Sequence, residues 1–263
     1  MRASWSKETN SIEIVTENLR FLAVSKAALS IVLDGTSFGI EGAPRLGPPQ
    51  VFRRETEGWR RLEALFPPEE EKSARCSGPF KRAFDHHFVL VVGSQGEPAE
   101  DRELLARARY DSLQWWYRAN GQASLLSDEA YLMGSYGGRN VILYGNRDTN
   151  SAWNRVLDAD CPIQAERGRI RVGARVFEGA DLGAVFLHPK LGEPTRLVGV
   201  FADSGRVGTR LGLILAPFVS GVGYPDWAVF DSRVLREGDG GVLDAGWFTH
   251  EWRLGPDPGE TAR

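Results

Sequence analysis

A chain of 263 residues with 42% hydrophobic and 25% charged residues is long enough to bury a substantial core, in one large domain or in two. Its formal net charge of −3 lacks the basic footprint of a nucleic-acid binder. No apolar run approaches the roughly 20 residues that a helix needs to cross a bilayer, so no membrane partner is expected.

Residues 1–78 read as a β-rich module. Ser11–Asn18 alternates as a half-buried strand does, and Phe21–Val24 and Leu29–Leu33 are further strands, the last closed by the turn pair Asp34-Gly35. A loop is expected over Gly42–Pro49, then a hairpin from Gln50–Arg54 and Gly58–Leu62. A charged connector, Glu69–Arg75, leads to a boundary at Gly78-Pro79.

Over residues 79–263 the pattern becomes strands separated by helices. The apolar runs Phe88–Val92 and Asn140–Tyr144 each stop at a glycine, and each is followed by polar, helix-forming residues. Pro98 and the acids after it open a long helix. Its apolar stripe, Leu104, Leu105, Ala108, Leu113, Trp116 and Tyr117, is expected to run inward as far as the C-cap Asn120-Gly121. A short helix should follow Thr149 or Asn150, small antiparallel strands should fill Ile163–Phe177, and Ala184–Leu187 and Leu197–Phe201 should be core strands. A third helix is expected over Gly208–Ala216 and a last strand over Trp227–Phe230. Together these elements predict an α/β fold: a three-layer, mainly parallel sheet of Rossmann-like or flavodoxin-like type with a β-hairpin insertion, preceded by the small β-rich module.

Parallel sheets bind ligands beyond the carboxyl ends of their strands, which makes the turns there the first candidates. Gly93-Ser94 and Asp203–Gly208 are glycine-containing turns, the second able to hold an anion on backbone N–H groups with help from Arg206. Asn146, Asp148 and Asn150 could bind a hydroxylated ligand or could cap the following helix. Asp226 is a candidate for the same crevice. The dinucleotide fingerprint is incomplete and the P-loop lysine is missing, so no cofactor is expected. Two cysteines, Cys76 and Cys161, and four histidines show no zinc-site spacing, so no metal is expected either.

Gly134-Ser135-Tyr136-Gly137-Gly138 approximates a serine-hydrolase motif, but Met133 stands where the first glycine belongs. A nucleophile elbow also needs a strand before the serine and a helix after it, and here the predicted strand comes after. A triad of Ser135, Asp203 or Asp226, and His250 is therefore kept as one alternative to a chain with no catalytic residues of its own, the other being a small-ligand or carbohydrate-binding module at the strand-end turns. The polar start Met1–Glu8 carries no signal peptide, which predicts a cytoplasmic chain unless it is the tail of a longer exported protein.

Several segments, Gly78–Phe84, Phe88–Gly93, Trp115–Asn120, Arg139–Asn146, Thr149–Trp153 and Ser220–Asp226, resemble the C-terminal region of large bacterial, planctomycete-type serine hydrolases of prolyl-oligopeptidase-like or esterase-like character. The resemblance implies that the catalytic unit is a separate domain. This chain would then be a non-catalytic accessory domain whose partner is that serine-hydrolase catalytic domain, in the same or another polypeptide.

Overall fold

A computed structural model describes residues 1–40, 49–63 and 68–255; the loop expected over Gly42–Pro49 lies outside them except for Pro49. The chain divides into two compact units, Met1–Pro68 and Glu69–Arg263. Among the described residues there are 17 strands in four sheets and only 22% helix, which corrects the α/β expectation: the protein is mostly β.

In the first unit β1 (Arg2–Ser6), β2 (Ser11–Val15), β4 (Ser30–Leu33) and β5 (Thr36–Gly39) form one sheet in the order β1-β2-β4-β5. A second sheet, β3-β6-β7, joins β3 (Phe21–Val24), β6 (Gln50–Glu55) and β7 (Gly58–Leu62). Period-2 alternation sends Ile12 and Ile14 inward and Glu13 outward, and Ile31, Leu33, Phe52 and Trp59 complete one core. The turn after β4 is fixed by Asp34, whose carboxylate accepts from the Thr16 hydroxyl and backbone N–H and from Trp59 Nε1 at 2.8 Å. These bonds, that of the Thr16 hydroxyl foremost, hold the Asp34 carboxyl down at about 2.

The second unit is built on a seven-stranded sheet. Its strands are β8 (Phe88–Val92), β9 (Ser124–Ser127), β10 (Asn140–Tyr144), β14 (Gly183–Lys190), β15 (Glu193–Asp203), β16 (Trp227–Phe230) and β17 (Val242–Gly246). A separate three-stranded antiparallel sheet, β11 (Ile163–Glu166), β12 (Arg169–Val172) and β13 (Arg175–Glu178), occupies the predicted insertion.

The large sheet runs β17-β16-β14-β15-β10-β8-β9. Pairing is parallel from β15 through β10 and β8 to β9, and antiparallel from β15 through β14 and β16 to β17. The expected mainly parallel sheet fails at β14 and β15. They are joined by the turn Leu191-Gly192, with Gly192 at φ +75, where a parallel pair would need a crossover of a dozen or more residues.

Among the described residues five α-helices accompany the strands: α1 (Pro98–Ala119), α2 (Asp128–Met133), α3 (Trp153–Val156), α4 (Arg206–Leu211) and α5 (Val234–Glu237). Only α1 exceeds six residues. One face of the sheet meets α1 and a 3₁₀ turn, Phe80–Phe84. Tyr144 on β10 donates its hydroxyl to Asp111 of α1 at 2.9 Å, and Asp111 also accepts from the buried Arg107 at 3.0 Å. Burial raises the Asp111 carboxyl against the pull of Arg107 and Tyr144. On the other face Trp153 of α3 meets Phe186 of β14 edge to face. With both faces covered, β8 and β10 are buried at every residue, which is why their sequences are unbroken apolar runs after Asn140.

The stripe of α1 departs from expectation. Leu104 and Ala108 are buried, whereas Leu113, Trp116 and Tyr117 are 57%, 62% and 71% exposed. Residues 69–78, which the sequence places with the β module, belong to the second unit because Lys72 pairs with the fully buried Asp226. Asp226 also accepts from the Phe248 N–H at 2.9 Å, while Lys72 donates to the Phe248 carbonyl at 2.7 Å and lies 4.9 Å from the Trp252 ring centre. One carboxylate thus ties the start and the end of this unit to β16. Asp226→Ala would leave the Lys72 charge and the Phe248 N–H unpaired in the interior. Urea unfolding should show the second unit losing about 3–5 kcal/mol, and a loss below about 1 kcal/mol contradicts the anchoring role.

Candidate functional site

The carboxyl ends of β8, β9, β10 and β15 lie at one edge of the sheet, and the chain after each of them supplies a candidate. Gly93 is packed so closely that an added Cβ would come within 2.4 Å of the Thr149 carbonyl, so the turn after β10 lies directly on the end of β8. Ser94 donates to Asp128, the first residue of α2, and the other oxygen of Asp128 accepts from the Ser151 N–H at 2.6 Å and from the Ser151 hydroxyl at 2.7 Å. Asp128 is fully buried.

Asn146 and Asn150 organise the same edge. Asn146 Oδ1 accepts from the N–H groups of Asp148 and Thr149, and its Nδ2 donates to the carbonyl and carboxylate of Asp203, both at 3.2 Å. Asn150 Nδ2 donates to the Val91 and Tyr144 carbonyls, joining β8 to β10, and its Oδ1 accepts from the Ala152 N–H. Asp148 is exposed and accepts from the Arg167 N–H at 2.9 Å. Arg206, the expected anion ligand, is paired with Glu103, which also binds Arg210.

The structure therefore brings Gly93, Ser94, Asn146, Asp148, Asn150 and Asp203 together, with every polar side chain among them bonded to the protein itself. A ligand here would have to break buried hydrogen bonds, each costing about 1–3 kcal/mol if left unmade.

Asp226 does not join this group. β16 runs in the same direction as β15 two strands away, and Asp226 precedes it, level with Gly199 and four residues back along β15 from Asp203. Nor does Ser135. It follows α2 and precedes β10, in a loop fastened to the start of β15 by the Gly138 N–H, which donates to Glu193. Glu193 and Asp203 are the first and last residues of the 11-residue β15, ten steps of about 3.3 Å, or roughly 33 Å apart. Ser135 makes no side-chain hydrogen bond among the described residues, and His250 pairs with Glu251 at 3.4 Å. The geometry of acyl transfer is thus not assembled from Ser135, Asp203 and His250.

The amino edge holds a site that the sequence reading passed over. The loop Gly134–Gly138 and the β14–β15 turn enclose a cavity of about 410 Å³ lined by Tyr131, Ser135, Tyr136, Arg155, Lys190 and Glu193. Lys190, at 7% exposure, donates to Glu193 at 2.6 Å and to the Tyr136 carbonyl at 3.1 Å, and Arg196 donates to the Gly138 carbonyl at 2.7 Å. Tyr131 and Tyr136 stack at 5.2 Å with 16° between their planes, and a Cβ on Gly134 would come within 2.3 Å of the Tyr136 ring. Burial, then the Glu193 charge, pushes the Tyr131 phenol up to about 12, so it remains a donor at neutral pH. Burial works to raise the Glu193 carboxyl, but bonds from Lys190 and the Gly138 N–H and the nearby cations outweigh it and hold the group below its usual range. The available signal was a lysine and a glutamate bracketing a two-residue turn at the end of an apolar strand, Lys190-Leu191-Gly192-Glu193.

Next to it, a cavity of about 590 Å³ is lined in part by His188, Trp252, Asp158 and Asp160. Burial lowers the His188 imidazole to about 4, leaving it neutral. Among the described residues no group of three or more His, Cys, Asp or Glu side chains is placed to hold a metal ion. Cys76 and Cys161 are buried free thiols.

Asp203 gives the carboxyl edge a pH signature. Burial pushes its carboxyl up to about 7, against the Thr209 and Asn146 side chains that pull it down. The native state thus keeps a proton that the unfolded chain releases near pH 4, and this residue costs increasing stability as pH rises from about 4 to about 7. Asp203→Asn lacks that penalty. Denaturant titrations across this range should show the variant gaining on the parent by up to about 4 kcal/mol as pH rises. A flat difference means that Asp203 ionises freely.

No family model matches this chain. An uncharacterized secreted protein of the fungus Arthroderma benhamiae is 36% identical over 73 residues, which is 28% of this chain and 8% of that relative. The match spans a small part of a much longer protein. Among the described residues no helix is long and apolar enough to cross a membrane.

Proposed function

We propose that this chain is a non-catalytic accessory module of a larger, serine-hydrolase-type protein. The observation that carries the reading is the separation of Ser135 and Asp203 to opposite ends of β15, combined with a carboxyl edge whose polar side chains bond one another. Parallel strands that serve a substrate leave polar groups open at their carboxyl ends, and here most of those groups hold the protein's own turns.

Two further features support the module reading. The outer side of α1 presents Tyr110, Leu113, Trp116 and Tyr117, all at least 43% exposed, beside β9, the edge strand of the sheet. Aromatic residues grouped in this way mark protein–protein contacts, and the resemblance names a hydrolase catalytic domain as the partner. The fungal relative, secreted according to its description, is far longer than the stretch it shares with this chain. Export of this chain as part of a longer polypeptide is in keeping with that.

The purified chain should hydrolyse p-nitrophenyl esters and aminoacyl-p-nitroanilides at the rate of buffer alone, and a fluorophosphonate should leave Ser135 unlabelled. Turnover abolished by Ser135→Ala, or a covalent adduct on Ser135, would overturn the proposal.

A further inference from the structure

The cavity at the amino edge has a chemical character that the accessory reading does not use. Its charges are Arg155, Lys190 and Glu193, and Lys190 and Glu193 neutralise one another at 2.6 Å. Arg155 is exposed and has no ion pair among the described residues, which leaves the pocket with one unspent positive charge.

The loop offers hydrogen-bonding groups of both kinds. The backbone N–H groups of Ser135, Tyr136 and Gly137 meet no acceptor among the described residues, whereas the Gly138 N–H is taken by Glu193. The carbonyls of Tyr136 and Gly138 are engaged by Lys190 and Arg196, and both Glu193 oxygens are engaged. What remains for a ligand is a guanidinium, the Ser135 hydroxyl, the Tyr131 phenol, the loop N–H groups and the carbonyls of Ser135 and Gly137, which meet no donor among the described residues.

The framework is also pre-organised. Lys190 is held at 7% exposure with three acceptors, two of them carbonyls of the Tyr136–Arg139 segment, and the stacked tyrosines pack on Gly134. A site whose walls are fixed in advance avoids part of the ordering cost of binding. At about 410 Å³ the cavity is within the range of small-molecule sites.

We infer that the pocket between the Gly134–Gly138 loop and the β14–β15 turn binds a small hydroxylated organic carboxylate, with Arg155 pairing the carboxylate and Ser135 and the loop N–H groups meeting its oxygens. The wall carries one net positive charge and both donors and acceptors, so it suits a negatively charged ligand that also bears hydroxyl groups. Ser135 has a binding role in this arrangement, which requires no catalytic partner. The inference is independent of the accessory reading, because a ligand can bind here whether or not a hydrolase domain docks elsewhere.

The test is amide-resolved NMR of the full chain titrated with D-glucuronate, with D-glucose and with sulfate. Glucuronate should give saturable shifts centred on Ser135, Tyr136 and Gly137. Glucose, with the same ring and no carboxylate, should bind at least about tenfold more weakly, the expected worth of one charge-assisted hydrogen bond. Arg155→Gln should weaken glucuronate by a similar factor without disturbing amides outside the pocket, and Ser135→Ala should weaken it by less. Absence of saturable shifts in the loop, an equal response to glucose, or unchanged affinity in Arg155→Gln would overturn the inference. Sulfate binding at the same amides as tightly as glucuronate would overturn the assignment to an organic carboxylate.

Discussion

The second unit depends on two buried asparagines and one buried aspartate at the carboxyl edge of its sheet. Asn150 donates to carbonyls at the ends of two adjacent parallel strands, Asn146 spans from the turn after β10 to Asp203, and Asp128 receives the turns after β8 and β10 together. Parallel strands finish with several unpaired backbone groups pointing the same way, and burying these without partners costs about as much as losing a hydrogen bond at each. Side-chain amides suit the position because each offers donors and an acceptor at once. Most polar groups at the strand ends are thereby used within the protein; the exposed Asp148 carboxyl and the unbonded Asp203 Oδ2 are what remain.

The proposed roles rest instead on surfaces that the fold leaves unsatisfied. At the amino edge, the tight connection of β14 to β15 places Lys190 and Glu193 three residues apart beside the glycine loop. That ion pair shapes the loop while its charges cancel, which leaves Arg155 to set the sign of the pocket. On α1, Leu104, Ala108, Asp111 and Trp115 form the inward face, Trp115 meeting Phe84 and Phe88, and Tyr110, Leu113, Trp116 and Tyr117 lie on the other side of the helix. Each surface follows from a local constraint, one from a hairpin and one from the outward face of a helix whose other side covers the sheet.

Strand positions were largely legible in the sequence, because β-branched alternation and glycine stops are local signals. The hairpin at Asp34-Gly35 and the helix that begins at Pro98 have this character. Direction was not legible. Ala184–Leu187 is buried on both faces and reads as an unbroken apolar run, as a parallel strand would, yet it pairs antiparallel with both neighbours. β1 and β17 were missed because they are mostly exposed edge strands with little alternation. The inward stripe of α1 was drawn too wide: at about 100° per residue Leu113 lies opposite Leu104 with Trp116 and Tyr117 to either side of it, while Trp115 shares the buried face and meets Phe88. For the site, the strand-end turns could be named from sequence, but their mutual saturation depends on contacts such as Asn146 to Asp203, 57 residues apart. The Lys190–Glu193 pocket brings together segments more than fifty residues apart and left only a faint local trace.

The most direct measurement is native-state amide hydrogen exchange at Asp148, Thr149, Ser151 and Ala152, whose N–H groups donate to Asn146, Asp128 and Asn150 side chains. If the strand ends are closed from within, these amides exchange only through large-scale opening, with protection approaching that of the β8 and β10 core. Exchange at the rate of a solvated loop would show the carboxyl edge to be open, and would contradict the account built on its closure.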